Sequence, residues 1–185
     1  KIAAQKKNKL FIMVKKIIYG LVILATLIVL SCNETSNQNE IETLAPIDWS
    51  NKITPLPVQD SLDYGKTYLS VYSQIYSYTA HTSLDLTATV SIRNTSEIDT
   101  IYLLKADYFD THGNSIHSYV KNPIALNKTE TLEIAESDKT GGTGANFIFD
   151  WAKKTSTSEP IFEAVMISTY GQQGLSFTTH GKRVK

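Results

Sequence analysis

The chain has 185 residues, of which 42% are hydrophobic, 10% aromatic and 19% charged. That composition excludes disordered, collagen-like and multi-span membrane chains and points to one globular domain. Its 18 basic and 18 acidic residues cancel, so no strongly basic surface suggests a nucleic-acid partner. The balance conceals an asymmetry: six basic and no acidic residues precede Cys32, leaving 12 basic against 18 acidic residues, a balance of −6, in the remainder.

The head of the chain reads as a targeting segment. Met13-Val-Lys-Lys is a short basic region, and residues 17–30 form an uncharged apolar run. A spanning helix needs roughly 20 apolar residues, so this run has instead the length of a signal-peptide hydrophobic region. Met13 is the expected initiator, and residues 1–12 are read as a start-site extension. The run ends in Val29-Leu30-Ser31-Cys32, which resembles the lipobox of bacterial lipoproteins: an aliphatic residue at −3, a small one at −1, then the cysteine that takes diacylglycerol and palmitate. Leu30 at −2 is bulkier than the usual Ala or Ser. The expected mature protein begins at lipidated Cys32 in a bacterial cell envelope, and Asn33, which is not the retention-type Asp, favours the outer membrane where there is one. Cys32 is the only cysteine, so no intramolecular disulfide supports the fold.

Residues 33–65 are expected to be a tether. Asn33-Glu-Thr-Ser-Asn-Gln-Asn-Glu is polar and low in complexity, and Pro46, Pro55 and Pro57 oppose helix and central strand. As a flexible chain it would span about 30 Å. The apolar patches 44–49 and 53–58 offer the alternative of docking on the domain, with Trp49 as the anchor.

Residues 66–185 carry β signals throughout. The clearest run is 84–92, where Leu84, Leu86, Ala88, Val90 and Ile92 share one face and Asp85, Thr87, Thr89 and Ser91 the other, as in a strand with one buried side. Further strands are expected at 67–78, 100–109, 115–119, 129–135, 145–151, 161–169 and 175–180. Asp110-Thr-His-Gly113 has the turn chemistry of a hairpin. Seven or eight short strands without an amphipathic helix predict an all-β, immunoglobulin-like antiparallel sandwich that lacks the hallmark cysteine pair. A small β-barrel is the alternative.

Successive segments carry a resemblance: Tyr68-Leu-Ser-Val-Tyr-Ser-Gln-Ile-Tyr76, Ser91-Ile-Arg-Asn-Thr-Ser96, Asp107-Tyr-Phe-Asp-Thr-His-Gly113, Gly141-Gly-Thr-Gly-Ala-Asn-Phe147, Glu163-Ala-Val-Met-Ile167 and Gln173-Gly-Leu-Ser-Phe177. Together they resemble the ordered motifs of the bacterial family catalogued as domain of unknown function 3124, from Lys66 to the C-terminus. The resemblance implies an exported or lipid-anchored single domain and no particular activity. Where that family often has an acidic residue in the hairpin turn, this chain has His112.

The chemistry-bearing residues are few. There is no G-x-S-x-G elbow, and the sole cysteine is expected to carry lipid. Among His81, His112, His117 and His180, the pair His112 and His117 flanks one hairpin and is a weak metal candidate without an obvious third ligand; otherwise these are solvated turn and strand residues. Asp107, Asp110 and Asn114 lack the spacing of a calcium loop and read as a capped turn. The most unusual segment is Asp138-Lys-Thr-Gly-Gly-Thr-Gly-Ala-Asn146. Its glycines allow positive φ or an anion-binding nest of amides, making Asp138, Lys139, Gly141, Gly142, Gly144 and Asn146 a candidate binding loop. The structural alternative is a sharp turn between sheets. Phe147, Phe149 and Trp151 share a strand face as core, whereas a subset of the tyrosines could form a binding face. These features predict an anchored, non-enzymatic binding or assembly module without a cofactor, its partner being membrane lipid at Cys32 and an envelope protein or glycan elsewhere. The rivals are a small-ligand binder or enzyme using loop 141–146, and metal handling through His112 and His117.

Overall fold

The computed structural model describes Met13 and residues 15–19, 47–58, 61–137, 139–169 and 174–185. The chain divides into two units, Lys1–Thr43 and Leu44–Lys185. In the first, Met13 and residues 15–19 are helical, and among the described residues no helix is long and apolar enough to cross a membrane. Cys32 and residues 33–46 lie outside the described residues.

The second unit is built from antiparallel strands: β1 (Leu62–Ser70), β2 (Gln74–Ser77), β3 (Thr79–Asp85), β4 (Thr87–Arg93), β5 (Ile101–Phe109), β6 (Ser115–Val120), β7 (Ile124–Leu126), β8 (Thr131–Glu136), β9 (Asn146–Lys154), β10 (Ile161–Ser168), β11 (Leu175–His180) and β12 (Lys182–Arg183). One sheet runs β12-β1-β9-β5-β6, with β7 also paired to β5; a second runs β11-β10-β4-β8; β2 and β3 form a separate ribbon. The two sheets share no strand and close no barrel, so the architecture is a β-sandwich. Strands β4, β8, β5 and β9 pair as do strands B, E, C and F of an immunoglobulin-like sandwich. The flanking strands are exchanged relative to the constant-type order, because β1 lies beside β9 and β10 beside β4.

Period-two alternation explains which faces meet. Ala88, Val90 and Ile92 on β4 are fully buried and Thr87 and Thr89 are exposed, whereas Ser91, expected on the exposed face, is buried. Ala88, Val90 and Ile92 oppose Phe147, Phe149 and Trp151 of β9, all buried as the alternation requires. The aromatic rings knit the core: Phe147 lies 5.4 Å from Phe149, and Phe149 lies 4.6 Å from Phe162 of the opposite sheet. Such pairs add about 0.5–1.5 kcal/mol each beyond the area they bury. The Trp151 indole is not left with an orphaned donor; its Nε1–H donates to Thr67 Oγ1 at 2.9 Å.

Two expected strands are broken. The run 67–78 divides into β1 and β2 where the Val71 and Ser73 N–H groups donate to the Ala145 and Gly142 carbonyls before β9 begins. The run 84–92 divides at Leu86, whose N–H donates to the Ser73 carbonyl at 2.9 Å, so that β3 leaves the sandwich to pair with β2. β7 and β12, three and two residues long, are too short for alternation to announce them.

The docking that Trp49 suggests is present. Trp49 packs against the core, Ile53 bridges to Ile124, the Thr54 N–H donates to the Pro123 carbonyl at 2.9 Å, and Lys52 forms an ion pair with Glu130. Residues 49–54 therefore line the β6–β7 edge. Burial alone would raise the Glu130 pKa, but the Lys52 ammonium and the Asn127 amide outweigh it and hold the carboxyl below its ordinary value.

A charge on the buried face of β4 has no partner to meet it. Val90→Asp is expected to cost about 3–5 kcal/mol in urea unfolding, whereas Thr89→Asp on the exposed face is expected to change stability by less than about 0.5 kcal/mol.

Candidate functional site

Three segments meet beyond the strand ends at Ser70, Phe109 and Asn146, which are neighbours in register. The first is the β5–β6 turn. The Gly113 N–H donates to the Asp110 carbonyl at 3.1 Å, Gly113 has φ of 83°, and Asp110 Oδ1 accepts from the His112 and Asn114 N–H groups at 2.8 Å each. Asn114 Nδ2 donates to Asp110 Oδ2 at 2.9 Å. This is the capped hairpin turn read from the sequence, and both Asp110 oxygens are engaged in it. The Asn114 side chain, then the Asn114 and His112 backbone amides, holds the Asp110 carboxyl below its ordinary value.

The second segment is Lys139–Gly144, a tight helical turn interrupted at Gly142. Its glycines serve close approach. A Cβ on Gly141 would lie 2.0 Å from the Tyr108 hydroxyl. Gly142 has φ 73° and ψ −155°, a region essentially confined to glycine. Gly144 is only moderately tight, since its Cβ would lie 3.1 Å from Thr111 Cγ2. The segment is clamped on the first turn: the Thr111 N–H and Oγ1 donate to the Gly141 carbonyl at 3.1 and 3.0 Å, and the Gly144 N–H donates back to Thr111 Oγ1 at 2.9 Å. On its other side the Ser73 N–H and hydroxyl donate to the Gly142 carbonyl at 3.3 and 3.2 Å. Asn146 opens β9, and Asp138 lies outside the described residues.

The third segment is the β2–β3 ribbon. Gln74 Nε2 donates to Asp85 Oδ1 at 2.8 Å, and Lys139 of the glycine segment forms an ion pair with Asp85. The Lys139 contact, then that of Gln74, lowers the Asp85 pKa. Tyr78, at the ribbon's bend, adopts φ 58° and is fully exposed.

Between the three segments lies an open cleft of about 340 Å³. Gln74, Tyr76, His81 and Ser83 line it from the ribbon, Thr111 and His112 from the turn, and Gly142 and Thr143 from the glycine segment. His112 thus shares the cleft with His81. His117 does not line it; that ring lies on β6, 4.4 Å from the Tyr119 ring. Among the described residues no group of three His, Cys, Asp or Glu side chains could hold a metal ion. The sequence reading missed the contribution of 74–83 because it treated 67–78 as one strand and saw no turn there; a bend at Tyr78 carries none of the Gly, Asn or Asp signals of positive φ.

Residues 64–184 match the family described as protein of unknown function (DUF3124). The chain belongs to that family. The matched span runs from β1 to the last strand, so all three segments of the cleft lie within the DUF3124 domain. No curated protein matches the chain. The crystal structure of Thermotoga maritima 1070 is similar over 64% of this chain and 92% of that chain, at 10% identity and a TM-score of 0.38.

Gly142→Ala is expected to destabilise the DUF3124 domain by about 1–3 kcal/mol because its backbone conformation is strained for any L side chain. Thr111→Val, which removes one donor and one acceptor of the clamp, is expected to cost about 1–3 kcal/mol. Asp85 and Asp110 both have folded pKa values below the ordinary 3.8. Their stabilisation is therefore complete above that value and is lost as the pH falls below it, through the folded values. Unfolding midpoints measured from neutral to strongly acid solution are expected to fall in that acid range, and Asp110→Asn is expected to flatten the fall.

Proposed function

We propose that this DUF3124 chain is a lipid-anchored envelope protein whose β-sandwich is a non-enzymatic binding module, with the loop-end cleft as its recognition surface. The observation that carries the reading is polarity. The part of the expected tether around Ile53 is itself held at the β6–β7 edge through Ile53, Ile124 and the partner of Ile124 on β5, Leu103. The cleft opens past Phe109 at the far end of the same strand. Six residues of strand between them amount to about 20 Å. The chain around Ile53 therefore meets the sandwich at the opposite end of β5 from the cleft, which is left open to a partner.

The lipid anchor itself is supported by the basic segment before residue 17, the apolar run 17–30 and the unique Cys32. The binding role, as opposed to catalysis by a carboxylate general base, is supported by the state of the carboxylates around the cleft. Asp85 is committed to Lys139 and Gln74, and Asp110 to the turn amides. Neither is disposed as a general base toward the cleft, which leaves two imidazoles and several hydroxyls as its chemistry.

A palmitate analogue fed to intact cells is expected to label the wild-type chain and not Cys32→Ser, which should also leave the membrane fraction. A photo-crosslinking residue at position 76 is expected to capture a partner, and one at position 89, on the outer face of β4, is not. Absence of label removes the anchor, and capture from position 89 alone removes the cleft as the recognition surface.

A further inference from the structure

We infer that the ligand of the loop-end cleft is a neutral saccharide, held by hydroxyl and imidazole hydrogen bonds against the Tyr76 ring; this rests on the cleft being the recognition surface. The lining contains no carboxylate, lysine or arginine. On the segments that frame it, Asp85 is paired with Lys139, and the Asp110 carboxylate keeps its charge but has both oxygens engaged by donors of its own turn. A ligand carrying a phosphate or an ammonium group would lose hydration there without a lysine, an arginine or an unengaged carboxylate to meet it, which is costly. A neutral ligand escapes that penalty.

The polar groups that remain match sugar hydroxyls, each of which both donates and accepts. One Gln74 amide N–H is taken by Asp85, which leaves the second N–H as a donor and the carbonyl oxygen as an acceptor. The hydroxyls of Ser83 and Thr143 can each donate and accept, and the ring nitrogens of His81 and His112 add further hydrogen-bonding positions. Thr111 is excluded from the set, since its hydroxyl donates to Gly141 and accepts from Gly144. Alongside these groups the Tyr76 ring, 64% exposed, supplies an amphipathic surface for the C–H face of a pyranose. A volume of about 340 Å³ sits at the small end of ligand clefts, which run from about 300 to 1,000 Å³, and suits a short stretch of glycan entering from the open side. A metal ion would find two imidazoles and no third ligand among the described residues.

The test is a titration of the full chain in a zwitterionic detergent without a sugar headgroup, using maltotriose, cellotriose and chitotriose up to about 20 mM, with inorganic phosphate and zinc as comparison probes. At least one trisaccharide is expected to bind more tightly than phosphate. Tyr76→Ala and Ser83→Ala should each weaken it by about tenfold or more with an unchanged unfolding midpoint, and Tyr76→Phe should retain most of the affinity. If no trisaccharide binds while the crosslinker at position 76 captures a protein, the saccharide inference falls and the cleft reading stands. If a trisaccharide binds with undiminished affinity to Tyr76→Ala and Ser83→Ala, it binds elsewhere and the inference is overturned. Tighter binding of phosphate or zinc than of any trisaccharide, lost in His81→Ala or His112→Ala, also overturns it by giving the cleft an ionic ligand.

Discussion

The Gly141 carbonyl accepts two hydrogen bonds from Thr111, and the Gly144 amide returns one to the same hydroxyl. Everything at the loop end depends on this clamp. It ties the connection between β8 and β9, which passes from one sheet to the other, to the hairpin turn between β5 and β6. With Ser73 donating to the Gly142 carbonyl on the opposite side, it also fixes where the chain leaves β1 for the ribbon. The glycines are needed because this approach is closer than side chains allow: Gly141 rests on the Tyr108 hydroxyl, and Gly142 turns through a backbone conformation open to little else. Their first role is thus to build the floor of the cleft, and the bonded groups of Gly141, Gly142 and Gly144 are spent in doing so.

The stability that allows such a loop end comes from the sandwich beneath it. Without a second cysteine, the two sheets are joined by apolar contact, with Phe149 of one sheet stacked on Phe162 of the other and Trp151 satisfied internally by Thr67. The edge that lacks a long strand partner, where β7 is three residues long, is covered by Trp49 and Ile53 from the incoming chain. A short, covered edge strand offers little template for pairing with other chains.

What was legible in the sequence was what depends on local periodicity. The buried face of β4, the shared face of Phe147, Phe149 and Trp151, and the Asp110 turn follow from alternation and turn chemistry within a few residues. What was not legible depends on distant partners. Nothing near Gly141 names Thr111 as its neighbour thirty positions earlier, and the ribbon is hidden because Tyr78 occupies a positive φ that its side chain does not advertise. The cleft therefore could not be assembled from sequence. His112 reads there as a partner of His117 five residues away, whereas the fold sets it beside His81, which arrives on a ribbon the sequence did not announce.

The most direct measurement of this account is native-state amide hydrogen exchange at Ser73, Thr111 and Gly144, the three loop N–H groups that close the clamp. The account predicts protection comparable to that of the β5 and β9 amides, since the clamp opens only with the sandwich. Exchange at open-loop rates at all three, with the strand amides still protected, would contradict it, because the glycine segment would then be free of the β5–β6 turn and the cleft would have no floor.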